Sequence, residues 1–324
     1  MPRGITRLLG KRLTFWLVFL LVTVVLLSGS LWVVSFVRGT VVSMAEADMP
    51  TSTTYVNYAP DGSYISDESN AAIQAYISEF PEPQNVKVLV GYNTSQIWGY
   101  MTTYLSGGLQ VDCTYCHNIN NFAAEGAEIG DDEVAARKDT ALIHLEMTAD
   151  LNQNWITQLA DIENKQPSGA QIACATCHLG EAQPVSWPEN LHALPDDLRL
   201  PLLDAEGNVG TVEDIDNRLV ITGREDISLD AVQYNQHVMY HQNESLGVGC
   251  THCHNSRYFP SWEQPAKYYA YTMLQMNQHI LGEYGDSLNE QEPSCYLCHR
   301  NQVRPPGSVR AAELLPDVLV APSD

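Results

Sequence analysis

The chain has 324 residues, enough for one large domain or two smaller ones, and carries 39 acidic residues against 17 basic ones. The formal charge of −22 argues against nucleic-acid binding, which needs clustered Lys and Arg to displace counterions. After residue 38 there are 12 bases and 39 acids, a net charge of −27, which favours cationic or weakly charged partners. Solubility is the other interpretation of the same charge.

The first predicted element is a membrane segment. Residues 13–37 contain no charged residue, and a helix of that length crosses about 30 Å of hydrocarbon. Four bases precede it and only Arg38 follows closely. Residues 1–12 are therefore expected in the cytoplasm, with the rest exported across the inner membrane. A cleavable signal peptide is the alternative, but its apolar core usually has only about 7–15 residues, so a retained single-pass anchor is favoured.

Residues 38–80 are rich in Ser, Thr, Asn, Tyr and Asp. This composition predicts a periplasmic tether, with one short helix near residues 70–80. The remaining domain is predicted over residues 81–324.

Within that domain, all eight cysteines occur in four Cys-x-x-Cys pairs, and each pair is followed directly by histidine. Cys-x-x-Cys-His is the attachment signature of c-type haem, in which two thiols bond the vinyl groups and the imidazole binds the iron. The pattern therefore predicts four covalent haems. In chain order the motifs are motif 1 (Cys113, Cys116, His117), motif 2 (Cys174, Cys177, His178), motif 3 (Cys250, Cys253, His254) and motif 4 (Cys295, Cys298, His299).

Other uses of paired cysteines fit less well. Structural zinc does not require a histidine after every pair. A thioredoxin-like thiol pair would lie in a βαβ context and would not occur four times. Disulfides suit an exported chain, but four such close pairs make a poor framework.

Methionines before the motifs are the candidate sixth ligands. Met101 lies 12 residues before Cys113, Met147 lies 27 before Cys174, and Met239 lies 11 before Cys250. Met273 is the candidate for motif 4, with Met276, His279 or a more distant histidine such as His144 as alternatives. Ordinary core packing is the other interpretation of each methionine. Thioether ligation raises the reduction potential relative to two imidazoles.

Each methionine lies in a stretch with helical periodicity, and these stretches predict a mainly α fold with little β structure. Motifs 1 and 2, and motifs 3 and 4, form two pseudo-repeated di-haem halves separated by an acidic, loop-rich bridge at 194–226. The other histidines (His192, His237, His241 and His252) are expected to face solvent or to make hydrogen bonds around the ligands. Arg257 and Arg300 are candidate partners of haem propionates, with solvated surface as the other interpretation.

With these motifs and helices, the sequence resembles the tetrahaem cytochrome c subunit of type II photosynthetic reaction centres, over roughly residues 81–324. The resemblance lies in the four paired motifs, the Met-bearing helices and the strings GLQVDCTYCHN, GVGCTHCHNSR and WEQPAKYYAYTM. It implies an elongated, mostly helical domain on the periplasmic face of the reaction centre. By position, Met101, Met147 and Met239 match the sixth ligands of that family.

The resemblance also implies a function and partners. Electrons would enter from a soluble donor, a blue copper protein or a small cytochrome c, and leave to the photo-oxidised bacteriochlorophyll special pair. The protein would be an electron carrier and not an enzyme. Its partners would be the L- and M-type membrane subunits, with light-harvesting proteins as further candidates.

Two features depart from the family. Many members carry an N-terminal lipidated cysteine, where this chain has the apolar segment. Members with two histidines on the fourth iron take one from between the second methionine and the second motif, and residues 148–177 contain no histidine. This favours methionine at the fourth iron.

A NapC-like membrane quinol dehydrogenase is the main alternative, since it also joins one N-terminal helix to four haems. Such proteins are shorter and use several histidine ligands, so the five placed methionines disfavour it. A haem enzyme would need an iron with an open position, and every motif here has a candidate sixth ligand.

Overall fold

The computed structural model describes residues 16, 17, 19–21, 23, 53–159, 168–189, 191, 229–259, 261–288, 291 and 293–320. The chain divides into two compact units, residues 1–50 and residues 51–324. In the first unit, the described residues are helical. Most of the predicted membrane segment at 13–37 and the predicted bridge at 194–226 lie outside the described residues. In the described part of the chain, no helix is both long and apolar enough to cross a bilayer.

The second unit is mainly helical, which confirms that part of the predicted fold class. Within its described residues, β structure is limited to isolated bridges such as Tyr55–Val309 and Gln171–Val309. The α-helices are α1 (Asp67–Glu79), α2 (Thr94–Tyr100), α3 (Asp132–Asp150), α4 (Cys174–His178), α5 (Leu229–Leu246), α6 (Pro265–Tyr284) and α7 (Cys295–His299). Short 3₁₀ turns occur at Gly62–Tyr64, Cys113–Tyr115, Gly126–Ile129, Cys250–His252, Gly285–Ser287, Ala312–Leu314 and Asp317–Leu319.

Local signals explain where the helices begin. Helix α2 starts with a complete capping box, in which Asn93 and Gln96 satisfy each other's backbone N–H groups. The carboxylate of Asp131 caps α3 by accepting from the N–H groups of Glu133 and Val134 at 2.9 and 3.1 Å. Pro265 occupies the first turn of α6, where its missing N–H costs nothing.

Two helices change their winding at a candidate methionine or one turn after it. Helix α2 continues through a π-helical segment, Met101–Ser106, into one further α turn, Gly107–Leu109. Helix α3 continues through a second π-helical segment, Leu151–Ile156, and a 3₁₀ turn, Thr157–Leu159. Such π segments are rare and are frequently found at functional sites.

The main core joins distant parts of the sequence around α2 and α4. Tyr55, which is 1 % exposed, donates from its hydroxyl to the Thr103 carbonyl at 2.7 Å. Val309, which is fully buried, exchanges backbone hydrogen bonds with Gln171 just before motif 2. Residues 55–58 and the chain near residue 309 therefore pack against the segment that carries motif 2. The predicted boundary at residue 81 stays a prediction.

Candidate functional site

Each Cys-x-x-Cys-His motif begins with a single helical turn. In motifs 1 and 3 the histidine N–H donates to the carbonyl of the first cysteine, from His117 at 2.9 Å and from His254 at 3.0 Å. Motifs 2 and 4 form the short helices α4 and α7. A helical turn places residues three positions apart on the same side, so both thiols of a motif face one direction.

The four motif histidines share one hydrogen-bond arrangement. In each, Nδ1 lies within hydrogen-bond distance of a backbone carbonyl a few residues further on. A carbonyl can only accept, so Nδ1 carries the proton and Nε2 keeps its lone pair for a metal. The pairs are His117–Phe122 (3.1 Å), His178–Glu181 (2.9 Å), His254–Phe259 (2.9 Å) and His299–Gln302 (2.9 Å).

Burial favours the neutral form of three of these imidazoles, those of motifs 1, 2 and 4. It lowers the pKa of His117 and of His178 to about 4, and the charge of Arg300 contributes at His178. The pKa of His299 is also lowered, again mainly by burial. A metal-bound imidazole must be neutral, and the histidines of motifs 1, 2 and 4 are in that protonation state at neutral pH.

Motifs 1 and 3 resemble each other in local geometry. In both, the carbonyl that accepts from Nδ1 belongs to a phenylalanine five residues after the histidine. The ring of Phe122 lies 5.6 Å from that of His117, and the ring of Phe259 stacks on that of His254 at 5.0 Å.

Motifs 2 and 4 share a different geometry. The accepting carbonyl is three residues after the histidine. The residue that follows the histidine has a left-handed backbone, with φ of 45° at Leu179 and 46° at Arg300. That conformation ends the short helix and turns the chain back toward the histidine ring.

Motifs 2 and 4 also lie side by side. Sγ of Cys177 is 3.1 Å from Sγ of Cys298. The Arg300 guanidinium donates to the carbonyls of Leu297 at 3.1 Å and Cys177 at 3.3 Å, which links the two motifs. Arg300 thus contacts backbone of both motifs.

The helices ahead of motifs 1 and 3 contact motifs 2 and 4. The N–H of Gly180, after motif 2, donates to the carbonyl of Gly108 at the end of the α2 segment. The N–H of Asn301, after motif 4, donates to the carbonyl of Ser245 near the end of α5, and both bonds are 2.8 Å long. The helices ahead of motifs 1 and 3 therefore dock on motifs 2 and 4.

All four candidate methionines lie on helices and are partly buried. Met101 begins the first π segment, and Met147 lies one turn before the second. Met239 lies on α5 beside Val238, and Met273 lies on α6. Their ligation of iron stays a prediction.

The two histidines considered as alternative ligands at motif 4 use Nε2 elsewhere. Nε2 of His279 lies 2.6 Å from Oδ2 of Asp150, so this histidine joins α6 to α3. Nε2 of His144 lies 3.1 Å from the carbonyl of Ser287. Both contacts favour a methionine at the fourth iron.

The structure places His241 beside motif 4, a position that the sequence did not clearly indicate. It is 1 % exposed, and its Nε2 accepts from the backbone N–H of Cys295 at 3.0 Å. Its ring stacks on Trp187 with centroids 4.6 Å apart, and burial lowers its pKa to about 4. Its spacing of three and four residues from buried Val238 and Ser245 was the available signal. His192 lies outside the described residues.

Buried polar atoms without partners test whether a haem fits here. Among the described residues these atoms lie on α2 and α5, the helices that precede motifs 1 and 3. A large group with polar edges, such as a porphyrin with its propionates, would supply partners to donors of this kind. The atoms are Trp98 Nε1, Tyr100 OH, His241 Nδ1, Gln242 Nε2 and Ser245 Oγ.

Comparison with known proteins identifies similar cytochromes. The family model described as photosynthetic reaction centre cytochrome C subunit matches residues 40–198 and 186–270. A second model, cytochrome c554 and c-prime, matches residues 249–318, so the two matches together span all four motifs.

Individual relatives are similar over most of the chain. Cytochrome c-554 of Chloroflexus aurantiacus is 29% identical, over 78% of this chain and 77% of that protein. The photosynthetic reaction center cytochrome c subunit of Thermochromatium tepidum is 26% identical, over 68% of this chain and 60% of that protein. The subunit of the same description from Rubrivivax gelatinosus is 24% identical, over 74% of this chain and 71% of that protein.

Proposed function

The chain belongs to the photosynthetic reaction centre cytochrome c subunit family, and on that basis we propose that it is a membrane-anchored tetrahaem cytochrome. It takes electrons from a soluble periplasmic donor and passes them to the photo-oxidised bacteriochlorophyll special pair. It carries electrons and performs no substrate chemistry of its own.

The observation that carries this proposal is the common orientation of the four motif histidines. Each Nδ1 donates to a backbone carbonyl, which leaves Nε2 available as the fifth ligand. Haem iron, when bound, supplies reversible one-electron chemistry. The protein supplies covalent attachment through the eight cysteines, fixed histidines, and Met101, Met147, Met239 and Met273 as sixth ligands. With a histidine and a methionine from the chain on each iron, no position would be left for a substrate.

The arrangement of the motifs suggests an order for the electron path. Motifs 2 and 4 contact each other through Cys177 and Cys298. The helices ahead of motifs 1 and 3 dock on opposite members of that pair, at Gly180 and Asn301. This supports two related di-haem halves, with motifs 2 and 4 in the middle of the path.

The partners follow from charge and family. The acidic domain favours a cationic or weakly charged donor, such as a blue copper protein or small cytochrome c. Residues 13–37 would anchor the chain in the inner membrane, with residues 1–12 cytoplasmic and the haem domain periplasmic. The L- and M-type subunits of the reaction centre would bind the haem domain.

Flash spectroscopy of isolated membranes tests the function. A light flash should bleach the reduced haem α-band, because electrons leave for the photo-oxidised pair. Membranes that contain the reduced cytochrome and active reaction centres but show no bleaching would refute the proposal.

Haem content and redox titration test the cofactors separately. Replacing Cys250 and Cys253 with alanine should remove one haem equivalent per chain, and loss of none would refute attachment at motif 3. Four midpoints all well below zero would instead favour the NapC-like quinol dehydrogenase, because bis-histidine irons have low potentials.

A further inference from the structure

We propose that Lys138 raises the reduction potential of the haem held by motif 1, by placing its ammonium group on the carbonyl that orients His117. The inference rests on the proposed function, in which motif 1 holds a haem with His117 as a ligand, and its test also uses Met101 as the sixth ligand of that haem. It assigns Lys138 a positioning and electrostatic role within that site.

Two donors meet at one backbone carbonyl. The Phe122 oxygen lies 3.1 Å from Nδ1 of His117 and 3.0 Å from Nζ of Lys138. Nζ also donates to the carbonyl of Ala124 at 2.7 Å, and Ala124 is 1 % exposed. Lys138 lies in the second turn of α3, so the helix fixes its position beside the loop that follows motif 1. The lysine is partly buried, and screening by salt is weaker there than at an exposed site.

The chemistry of this contact determines the direction in which it shifts the reduction potential of the haem. A strong acceptor on Nδ1–H makes an imidazole more electron-donating, which stabilises ferric iron and lowers the potential. A cation bonded to the same oxygen draws its electron density away, so the oxygen accepts less strongly from His117. The positive charge itself also favours the ferrous state. Both effects raise the potential of this haem.

Motif 3 offers a comparison within the same chain. Its loop has the same form, with the Phe259 carbonyl 2.9 Å from Nδ1 of His254. The nearby Lys267 reaches the carbonyl of Ser261, which corresponds in position to Ala124, at 3.4 Å, and lies over the Trp262 ring. A lysine therefore lies beside the loop that follows the histidine in both motifs, and at motif 1 it bonds the carbonyl that orients the histidine.

Three substitutions separate charge from hydrogen bonding. K138R keeps the charge, K138Q keeps a neutral donor, and K138M removes both. Redox titration of the purified holoprotein should show one midpoint shifted to lower potential, least in K138R and most in K138M. Repeating K138M in an M101H background identifies the haem, because the M101H change lowers the midpoint of motif 1 by its own ligand effect.

Lys87→Met is the matched charge control. Lys87 is about half exposed and forms an ion pair with Glu125 at 3.4 Å, so its loss removes one positive charge from the same region. K87M should shift the motif 1 midpoint less than K138M does. Equal shifts in the two variants, no shift in K138M, or a shift confined to another haem would overturn the proposal.

Two other causes of a changed titration, loss of structure and absence of the haem, are tested separately. Thermal unfolding reports any structural loss, and recovery of the midpoint in K138R shows that the effect does not come from misfolding. Failure of the underlying function would look different. In that case, replacing Cys113 and Cys116 with alanine would remove no haem equivalent from the chain, whatever happens at Lys138.

Discussion

Replacing Gly108 with alanine is expected to destabilise the protein by about 1–3 kcal/mol, the usual cost of overpacking a well-filled interface. A Cβ at this position would lie 2.8 Å from the Ala175 nitrogen and 2.9 Å from Cβ of Cys174. The first of these is a backbone atom, so the chain carrying motif 2 would have to move. The same movement would strain the 2.8 Å hydrogen bond from the Gly180 N–H to the Gly108 carbonyl.

Gly99 provides the matched control on the same helix. No atom lies within 4 Å of the Cβ that alanine would add there. In a helix, alanine is favoured over glycine by about 0.5–1 kcal/mol, so Gly99→Ala should stabilise the protein.

Thermal unfolding of the two holoproteins, followed by circular dichroism, compares the variants directly. In a domain of this size 1 kcal/mol shifts Tm by about 2 °C, so the two variants should differ by roughly 3–8 °C. Equal Tm values for Gly108→Ala and Gly99→Ala would show that the close approach of α2 to motif 2 does not exist in the folded protein.

Three further substitutions test other contacts. Met239→Leu should lower the midpoint of the motif 3 haem or allow carbon monoxide to bind it when reduced, and an unchanged titration and spectrum would remove Met239 as a ligand. Arg300→Gln should lower two midpoints, those of motifs 2 and 4, because its charge contacts both motifs; a single shifted wave would contradict this. At Asp150, burial would raise the pKa, but hydrogen bonds from Asn154, His279 and Tyr284 lower it below its ordinary value. Its stabilisation is therefore present at neutral pH and lost as pH falls through the acid range, so Tm measured against pH should fall less steeply in Asp150→Asn.

Local signals account for much of what could be predicted. The cap residues Asn93 and Asp131 and the proline at 265 lie at helix starts in the structure, because capping depends on only three or four neighbouring residues. The attachment motifs are equally local, since within five residues two thiols must reach the vinyl groups of one porphyrin and an imidazole must reach its iron. Such features can be read without knowing the rest of the fold.

Long-range contacts could not be predicted in the same way. Tyr55 and Val309 are paired in the core although they are far apart in the sequence, and the composition around Tyr55 is that of a tether. Lys138 bonds a backbone carbonyl just after motif 1, and His241 bonds a backbone N–H of motif 4, so neither needs a recognisable partner residue. A side chain that bonds to a carbonyl or an N–H leaves no pairing pattern in a single sequence.

The unequal methionine spacing, 12 residues before motif 1 and 11 before motif 3, has a physical explanation in the helices. Gly108 and Ser245 each lie five residues before the first cysteine and make equivalent 2.8 Å hydrogen bonds, so the extra residue must lie between Met101 and Gly108. That interval contains the π-helical segment, whose hydrogen bonds span one residue more than those of an α-helix, whereas α5 is α-helical throughout. The π segment therefore absorbs the added residue and lets Met101 and Met239 occupy corresponding positions relative to their motifs. The one-residue difference in spacing is thus compatible with the same role for both methionines.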